Sequence, residues 1–380
     1  MRTRSRYSAN SLFRGASMAW TYHNPVAVTF GDGSLERLGA ILDRRRAVLV
    51  AFPEAAALGH VDAVRRTLGA ALAGVVDDIE PNPDVVHLRE LHTRFWRDFG
   101  SVDAIVALGG GSTLDTAKVL AVTPPAGDFD ALVVKLAAAE AFVPARTKAL
   151  IAVPTTAGTG SEVTPWATVW DRATARKYSL HLRETWPEAA IVDPRLTASA
   201  PRSITLQSGL DALSHALEAI WNVNANDVSD TFAVSAARRM QRTLPALVDR
   251  LDDASLREQA ALAALEAGLA FSNTRTALAH SISYEMTLRH GLPHGIACSF
   301  TLPLVLERAL GKRPDRDAVL ARVFDVPLAR ASAHLASWLE SLGVSTAFES
   351  YGVTADESRT MVDTALRGAR GRNFIGATAG

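Results

Sequence analysis

The spacing of apolar residues divides the chain into two parts. Up to about residue 192, short runs rich in β-branched residues alternate with amphipathic stretches, a pattern typical of βα units that form a mostly parallel sheet. The runs with the character of strands are residues 26–30, 47–52, 74–79, 103–108, 149–153 and 189–192. We therefore predict an α/β domain in this part of the chain.

After Asp193 and Pro194 the pattern changes to long segments rich in alanine and leucine. Pro201 suits the start of the first long helix. The segments with helical character are residues 210–221, 229–251 and 255–288. We predict an α/β domain over residues 21–194 and a helical domain over residues 195–380. Residues 1–20 are predicted to be a frayed extension, and the alternative, suggested by their arginines, is a targeting peptide.

The composition narrows the classes of function. The 380 residues include 40 basic and 40 acidic side chains, so the chain lacks the positive field on which sequence-independent nucleic-acid binding depends. No apolar stretch reaches the roughly 18 residues of a membrane span. Cys298 is the only cysteine, which excludes an intramolecular disulfide and a thiolate cluster and suits a reducing cytoplasm. We expect neither nucleic acid nor a membrane as a partner.

A glycine-rich turn follows the fourth predicted strand. Residues 109–112 read Gly-Gly-Gly-Ser and lead into a predicted helix, where backbone N–H groups can approach a diphosphate. The alternative is a structural turn in which Ser112 and Asp115 form a capping box. Leu114 stands where the dinucleotide fingerprint G-x-G-x-x-G has its third glycine.

A second loop, residues 154–162, follows the next strand and is dense in threonine, serine and glycine. Open α/β sheets bind ligands at the carboxyl ends of their strands, so this loop is a second candidate for ligand binding. A polar surface loop is the alternative.

Four side chains in the helical half have the chemistry of a metal site. Asp211 and His215 are four residues apart on a predicted helix and project from one face, although such a pair alone is more often a surface hydrogen bond. His280 and His294 follow, with ordinary alternatives as a core histidine and as an exposed residue after a proline turn. Together, one carboxylate and three imidazoles suit Zn²⁺ or Fe²⁺ with an open position for substrate.

These motifs together resemble the iron-containing, or group III, alcohol dehydrogenases. The resemblance covers about residues 24–310 and is carried by residues 109–118, 154–164, 209–218, 280 and 293–295. It implies an N-terminal Rossmann-like domain and an all-α C-terminal domain, similar to dehydroquinate synthase, with the active site in the cleft between them. It also implies reduction of a small aldehyde to a primary alcohol, with hydride from NAD(P)H and a divalent metal, Fe²⁺ or Zn²⁺, as Lewis acid.

The resemblance also assigns roles to particular residues. The implied metal ligands are Asp211, His215, His280 and His294. The implied cofactor-binding residues are Asn82, Gly110, Gly111, Ser112, Thr155, Thr156, Ser161 and Lys177.

The sequence departs from the family pattern at two positions. Tyr284 stands four residues after His280, where relatives carry a second histidine; its hydroxyl is a candidate proton donor, and packing is the alternative. Phe52 and Pro53 stand where relatives that prefer NAD have an aspartate for the ribose 2′-hydroxyl. We therefore expect NADPH to be accepted.

Arg275 bears on the substrate class. It lies five residues before His280 in a segment predicted as one apolar helix, so we expect it near the same cleft. An arginine beside the metal suits a carboxylate or phosphonate on the substrate, whereas an internal salt bridge is the alternative. Residues 273–276 and 280–284 resemble the phosphonoacetaldehyde reductase branch, which forms 2-hydroxyethylphosphonate in phosphonate biosynthesis.

Other functions fit parts of the same pattern. Within the superfamily these are a glycerol dehydrogenase, a maleylacetate reductase or a dehydroquinate synthase-like lyase, and from another class a non-catalytic protein stabilised by its metal. The alanine- and leucine-rich half also suits a subunit interface, so we expect a homodimer or a higher homo-oligomer.

Overall fold

The structure is a computed structural model that describes residues 19–125, 128–174 and 176–377. Nearly all of the predicted extension lies outside the described residues. The N-terminal part alternates strands with helices, which are β1 (Ala27–Phe30), α1 (Leu38–Leu42), β2 (Ala47–Ala51), α2 (His60–Leu68), β3 (Leu72–Val76), α3 (Val85–Phe99), β4 (Ala104–Gly109), α4 (Gly111–Leu120), β5 (Val122–Thr123), α5 (Phe129–Ala137), β6 (Arg146–Thr147), β7 (Ala149–Pro154), β8 (Trp166–Asp171), β9 (Arg176–His181) and β10 (Ala189–Val192).

Six strands form one parallel sheet in the order β1-β10-β7-β4-β2-β3. These are the six strands that the apolar runs predict, with ends that differ by at most three residues. β2, β4 and β10 are buried along their whole length, as expected for a parallel sheet covered on both faces. Gly109 at the end of β4 pairs with Pro154 at the end of β7, so the glycine turn and the second loop start side by side.

The apolar pattern missed an antiparallel hairpin formed by β8 and β9. β9 reads Arg-Lys-Tyr-Ser-Leu-His, which contains no run of β-branched residues, so nothing in it resembles the buried strands. The hairpin packs on α4 and carries Lys177.

The C-terminal part is helical, and the predicted fold class is confirmed. Among the described residues, no helix combines the length and the apolarity that crossing a bilayer requires. The helices are α6 (Arg202–Ile220), α7 (Asp227–Leu247), α8 (Ala254–Thr274), α9 (Leu278–His290), α10 (His294–Ser299), α11 (Leu302–Ala309), α12 (Pro314–Leu320), α13 (Ala331–Ser341) and α14 (Ala355–Arg367).

The prediction of a single helix over residues 255–288 is wrong. α8 ends at Thr274, Arg275 has a φ of 67°, and α9 begins only at Leu278. Both helices bury apolar side chains, so the change of direction leaves no gap in the hydrophobic pattern. Arg275 therefore lies at a turn between two helices and not on a helix face.

α6 lies at the centre of the helical part. α7, α8 and α10 pack around it, and it is buried continuously from Gly209 to Ile220. Three polar side chains of α6, those of Asp211, His215 and Glu218, are buried with it. A buried carboxylate requires a compensating partner, so these residues point to a site inside the helical part.

Candidate active site

A cavity of about 650 Å³ lies between the ligand-binding edge of the sheet and the helical part. One side is formed by the start of α4, by the second loop and by the β8–β9 hairpin, and the other by α6, α9 and α10. Ser112, Ser161 and Lys177 line the first side, and Asp211 and His280 line the second. The cavity thus joins part of the predicted cofactor set to the predicted metal ligands, whereas Gly110, Thr155 and Thr156 do not line it.

The four predicted metal ligands meet around one carboxylate oxygen. Asp211 Oδ1 lies 3.7 Å from Nε2 of His215, 3.4 Å from Nε2 of His280 and 3.8 Å from Nε2 of His294. Ligands on one ion at bond lengths of about 2.1 Å are separated by roughly 3.4 Å in a tetrahedral arrangement. The three distances from Asp211 Oδ1 therefore suit a single small cation, while His215 is not in the set of residues whose ligand atoms all lie within 4.8 Å of one another.

The chemical state of the cluster also suits a cation. Asp211 Oδ1 and His280 Nε2 are buried without a hydrogen-bond partner, and such orphaned atoms are costly unless something binds them. Burial lowers the pKa of His215 to about 4, so its imidazole is neutral at pH 7. Burial opposes ionisation of Asp211, but the neighbouring histidines hold its pKa below the usual range. Burial opposes protonation of His280, but Cys298 and Glu218 hold its pKa above the usual range. A divalent metal binds the carboxylate and the neutral imidazole, so metal binding would displace a proton from His280.

The four side chains differ in access to the cavity. The side chain of His294 is 35% exposed, whereas those of Asp211, His215 and His280 are at most 6% exposed. The site is therefore closed on the side of α6 and open beside His294, where a substrate oxygen can approach.

Glu218 supports the cluster from behind, a role that the sequence motifs did not reveal. Its carboxylate accepts a hydrogen bond from the His280 ring at Nδ1, 2.7 Å away, and others from the backbone N–H groups of Ala277 and Ala279 at the start of α9. This contact directs Nε2 of His280 towards Asp211. The available signal was its position one turn after His215 on α6.

Cys298 is also close to the cluster. It follows His294 by one turn of α10, and its Sγ lies 3.6 Å from His294 Nε2. One ligand atom each from Asp211, His280, His294 and Cys298 lie within 4.8 Å of one another. A single thiol, that of Cys298, therefore borders the predicted metal site.

The glycine turn differs from the predicted capping box. Gly110 is the N-cap and α4 starts at Gly111, so Ser112 and Asp115 occupy the second and fifth helical positions and cannot cap. The Ser112 hydroxyl instead accepts a hydrogen bond from the Asn82 N–H at 3.0 Å. The Asp115 carboxylate accepts hydrogen bonds from the Ser161 hydroxyl and from the backbone of β8.

The two loops form a continuous surface. A Cβ on Gly110 would lie 3.3 Å from Thr156 Cγ2, and one on Gly111 would lie 2.9 Å from Thr159 Cγ2, so glycine permits this approach. The backbone N–H of Thr155 donates to the carbonyl of Gly109. The turn, the second loop and Asn82, which has a φ of 56°, thus lie together at the end of the sheet.

Comparison with known proteins agrees with this geometry. Residues 25–194 match the family described as iron-containing alcohol dehydrogenase, and residues 205–378 match its C-terminal domain. The chain belongs to the iron-containing alcohol dehydrogenase family.

Several members of this family are similar over much of the chain. The aldehyde-alcohol dehydrogenase of Streptococcus pneumoniae is 34% identical over 311 residues, which are 77% of this chain and 34% of that protein, so the chain spans about a third of that relative. The NAD-dependent methanol dehydrogenase of Bacillus methanolicus is 29% identical over 360 residues, 90% of this chain and 92% of that protein. The structure of sulfoacetaldehyde reductase from Bifidobacterium kashiwanohense in complex with NAD⁺ has a TM-score of 0.86 and 27% identity, covering 94% of this chain and 95% of that one.

In the present structure, the side chains of Lys177 and Arg370 lie against the ring of Tyr284. Lys177 Nζ is 4.1 Å from the ring centroid and Arg370 Cζ is 4.9 Å from it. Burial and then the charge of Arg370 lower the pKa of Lys177 to about 7. Lys177 and Arg370 line the cavity, whereas Tyr284 lies behind them and its hydroxyl has no hydrogen-bond partner. Its role as a proton donor stays a prediction.

Arg275 reaches the cavity from the turn that follows α8. Its carbonyl accepts a hydrogen bond from the Asn222 side chain, and its own side chain is exposed at the cavity. Burial and the charge of Arg275 lower the pKa of His181 on β9, so the guanidinium faces the hairpin. Within residues 19–125, 128–174 and 176–377, Arg275 forms no salt bridge, unlike the predicted alternative.

Proposed function

We propose that the protein reduces a small aldehyde to a primary alcohol, using NAD(P)H and one divalent metal. The observation that carries this proposal is the convergence of Asp211, His215, His280 and His294 in the cavity that also contains the glycine turn. When bound, the metal supplies Lewis-acid polarisation of the carbonyl and the nicotinamide supplies hydride.

The residues of the chain would then position and shield the reactants. We assign metal binding to the Asp211 cluster, with the open side beside His294 left for the aldehyde oxygen. The N-terminus of α4 is suited to the diphosphate of the cofactor, because backbone N–H groups and the helix dipole favour an anion there. The full set of residues assigned to the cofactor is Asn82, Gly110, Gly111, Ser112, Thr155, Thr156, Ser161 and Lys177.

The proposed substrate is an anionic aldehyde such as phosphonoacetaldehyde, which would yield 2-hydroxyethylphosphonate. Arg275 at the cavity supports this choice because its guanidinium has no carboxylate partner among the described residues. The similarity to a sulfoacetaldehyde reductase supports it further, since the substrate in that protein's name is also a short aldehyde with an oxyanion.

A steady-state screen tests this proposal. It compares phosphonoacetaldehyde and sulfoacetaldehyde with propanal, each with NADH and NADPH, after loading with Fe²⁺ or Zn²⁺. We expect net oxidation of NAD(P)H and a higher kcat/KM for the anionic aldehydes. Arg275→Ala should raise KM for them by about tenfold and leave that of propanal nearly unchanged. Equal effects on both substrate types would remove the case for an anionic substrate.

The same screen tests the cofactor. β2 ends at Ala51 and is followed by Phe52 and Pro53, so no aspartate stands at the position that repels a 2′-phosphate, and the next carboxylate is that of Glu54. We propose that NADPH is used at a rate comparable to that of NADH or higher. A strong preference for NADH would contradict this. The single cysteine is consistent with a reaction in the reducing cytoplasm, and we propose a homo-oligomer as the assembly.

A further inference from the structure

Two cations from distant parts of the chain meet at one wall of the cavity. Lys177 comes from the β8–β9 hairpin, and Arg370 comes from the segment after α14. Both lie against the ring of Tyr284, and Lys177 Nζ is also 5.1 Å from the ring of Trp170. The sequence motifs connect neither Lys177 nor Arg370 with a substrate.

No carboxylate neutralises this pair within the part of the chain that the structure describes. The salt bridges there include neither Lys177 nor Arg370. Two carboxylates that act on the charge of Lys177 have other partners, since Asp115 accepts hydrogen bonds from Ser161 and β8 and Asp211 faces three histidines. Burial first, and then the charge of Arg370, lower the pKa of Lys177 to about 7, so the charged form of this pair is costly without a partner. A bound anion would remove this cost.

The arginine is held in place from its own side. Arg370 Nη1 donates to the Thr276 hydroxyl at 3.0 Å, and the Asn373 side chain donates to the Thr276 carbonyl at 2.8 Å. Thr276 directly follows Arg275 in the turn between α8 and α9. The segment that carries Arg370 is therefore fastened to the turn that carries Arg275, and both guanidinium groups line the same cavity.

The position of the pair relative to the metal cluster limits the size of the ligand. Tyr284 follows His280 by four residues on α9, one turn or about 6 Å along the helix. The residue whose ring both cations contact is thus about one helical turn from the ligand His280. That separation suits an aldehyde whose oxyanion is only one or two carbons from the carbonyl.

We propose that Arg370, with Lys177, forms the subsite that binds the phosphonate or sulfonate of a short aldehyde substrate, so that Lys177 would serve the anion of the substrate rather than the cofactor to which the family resemblance assigns it. Arg370 is the specificity-determining residue of this subsite, and Arg275 contributes from the adjacent turn. The inference rests on the proposed function for the identity of the reaction, but the anion site itself can be tested without an anionic substrate.

The test uses the metal-loaded enzyme and compares Arg370→Met and Arg370→Lys with wild type. The matched control is Arg372→Met, because Arg372 is exposed, donates only to the Arg367 carbonyl and does not line the cavity. We expect Arg370→Met to raise KM for sulfoacetaldehyde about tenfold or more with little change for propanal. Arg370→Lys should recover part of the loss, and Arg372→Met should behave as wild type. Equal changes for both aldehydes in Arg370→Met would overturn the proposal.

A second measurement separates this inference from the proposed function. Inorganic phosphate is titrated as an inhibitor of propanal reduction, against variable aldehyde and against variable NADPH. If phosphate competes with the aldehyde and this competition weakens in Arg370→Met, the subsite is supported. If wild type also shows no preference for anionic aldehydes, that finding overturns only the proposed substrate and not the subsite. Competition with NADPH would assign the two cations to the cofactor and overturn the subsite. If propanal is not reduced, phosphate binding is measured by calorimetry, and equal affinity in wild type and Arg370→Met overturns the subsite.

Discussion

Glu218 contacts both the metal cluster and the start of α9. Its carboxylate accepts from the His280 ring and from three backbone N–H groups at the start of α9. The free N–H groups at a helix N-terminus favour a carboxylate, and the contact to His280 fixes the ring orientation. Glu218 therefore stabilises the N-terminus of α9 directly after the turn at Arg275.

We predict that Glu218→Gln weakens metal binding by about 10- to 100-fold. The amide carries no charge to stabilise the His280 N–H or the helix start, so the orientation of His280 loosens. Metal affinity is measured by competition with a chromophoric chelator, with Glu307→Gln, an exposed change on α11, as the control. Unchanged affinity in Glu218→Gln would show that the contact has no influence on the site.

A second buried carboxylate, Glu162, gives a prediction on pH. Burial raises its pKa from 4.5 to about 7. The folded chain therefore binds a proton more tightly than the unfolded chain, and stability falls as pH rises from 4.5 to about 7. We expect Glu162→Gln to flatten the dependence of the free energy of unfolding on pH in this range, which the buried carboxyl changes by at most about 3 kcal/mol. Urea midpoints at pH 5 and pH 8 measure it, and an identical pH dependence in the variant would contradict the prediction.

At this scale the sequence predicts residues that share an element and misses those brought together by the fold. Helical periodicity alone places Asp211 and His215 on one face of a helix. Arg370 and Lys177 belong to segments with no regular apolar pattern, and their meeting over Tyr284 depends on how the two parts pack. Local spacing carries no information on such a contact.

Among the elements, the contact between α6 and α10 positions His294. Gly295, the residue after it, lies so close to α6 that a Cβ there would clash with the backbone of Gln207. Only glycine allows this approach, which brings the first turn of α10 against the helix that carries Asp211. The sequence did not predict α10, because a helix of six residues after a proline is too short to show a recognisable helical periodicity.

We predict that Gly295→Ala forces α10 away from α6, lowers Tm and reduces metal bound per chain. The added methyl cannot be accommodated, because the group that it meets is backbone and not a flexible side chain. The control is Gly39→Ala in α1, where the Cβ would be 3.3 Å from the Thr67 carbonyl. Melting curves and metal analysis of both variants test this. A Gly295→Ala protein with full metal content and an unchanged Tm would refute the steric argument.

For the whole molecule, the sequence predicts the sheet and the helical part better than it predicts the region where the two parts meet. The six strands of the sheet and the helical character of the C-terminal part follow from the periodicity of apolar residues, because that periodicity shows which faces are buried. The β8–β9 hairpin and the turn at Arg275 contribute cations to the cavity, and both depend on packing between the two parts. The features that the sequence leaves open are thus concentrated where a substrate would be chosen.

The metal cluster belongs to only one of the two parts, and this determines the expected effect of removing the ion. Its proposed ligands come from α6, α9 and α10, whose apolar faces already share a large core that includes Trp221 and Phe300. That core does not depend on the ion, so we predict that chelation abolishes aldehyde reduction and lowers Tm through loss of ligand binding while the helical content remains. Far-ultraviolet circular dichroism, Tm and activity are followed during chelation and after metal is restored. Unfolding on chelation would instead identify the ion as structural and favour a non-catalytic metal-stabilised protein.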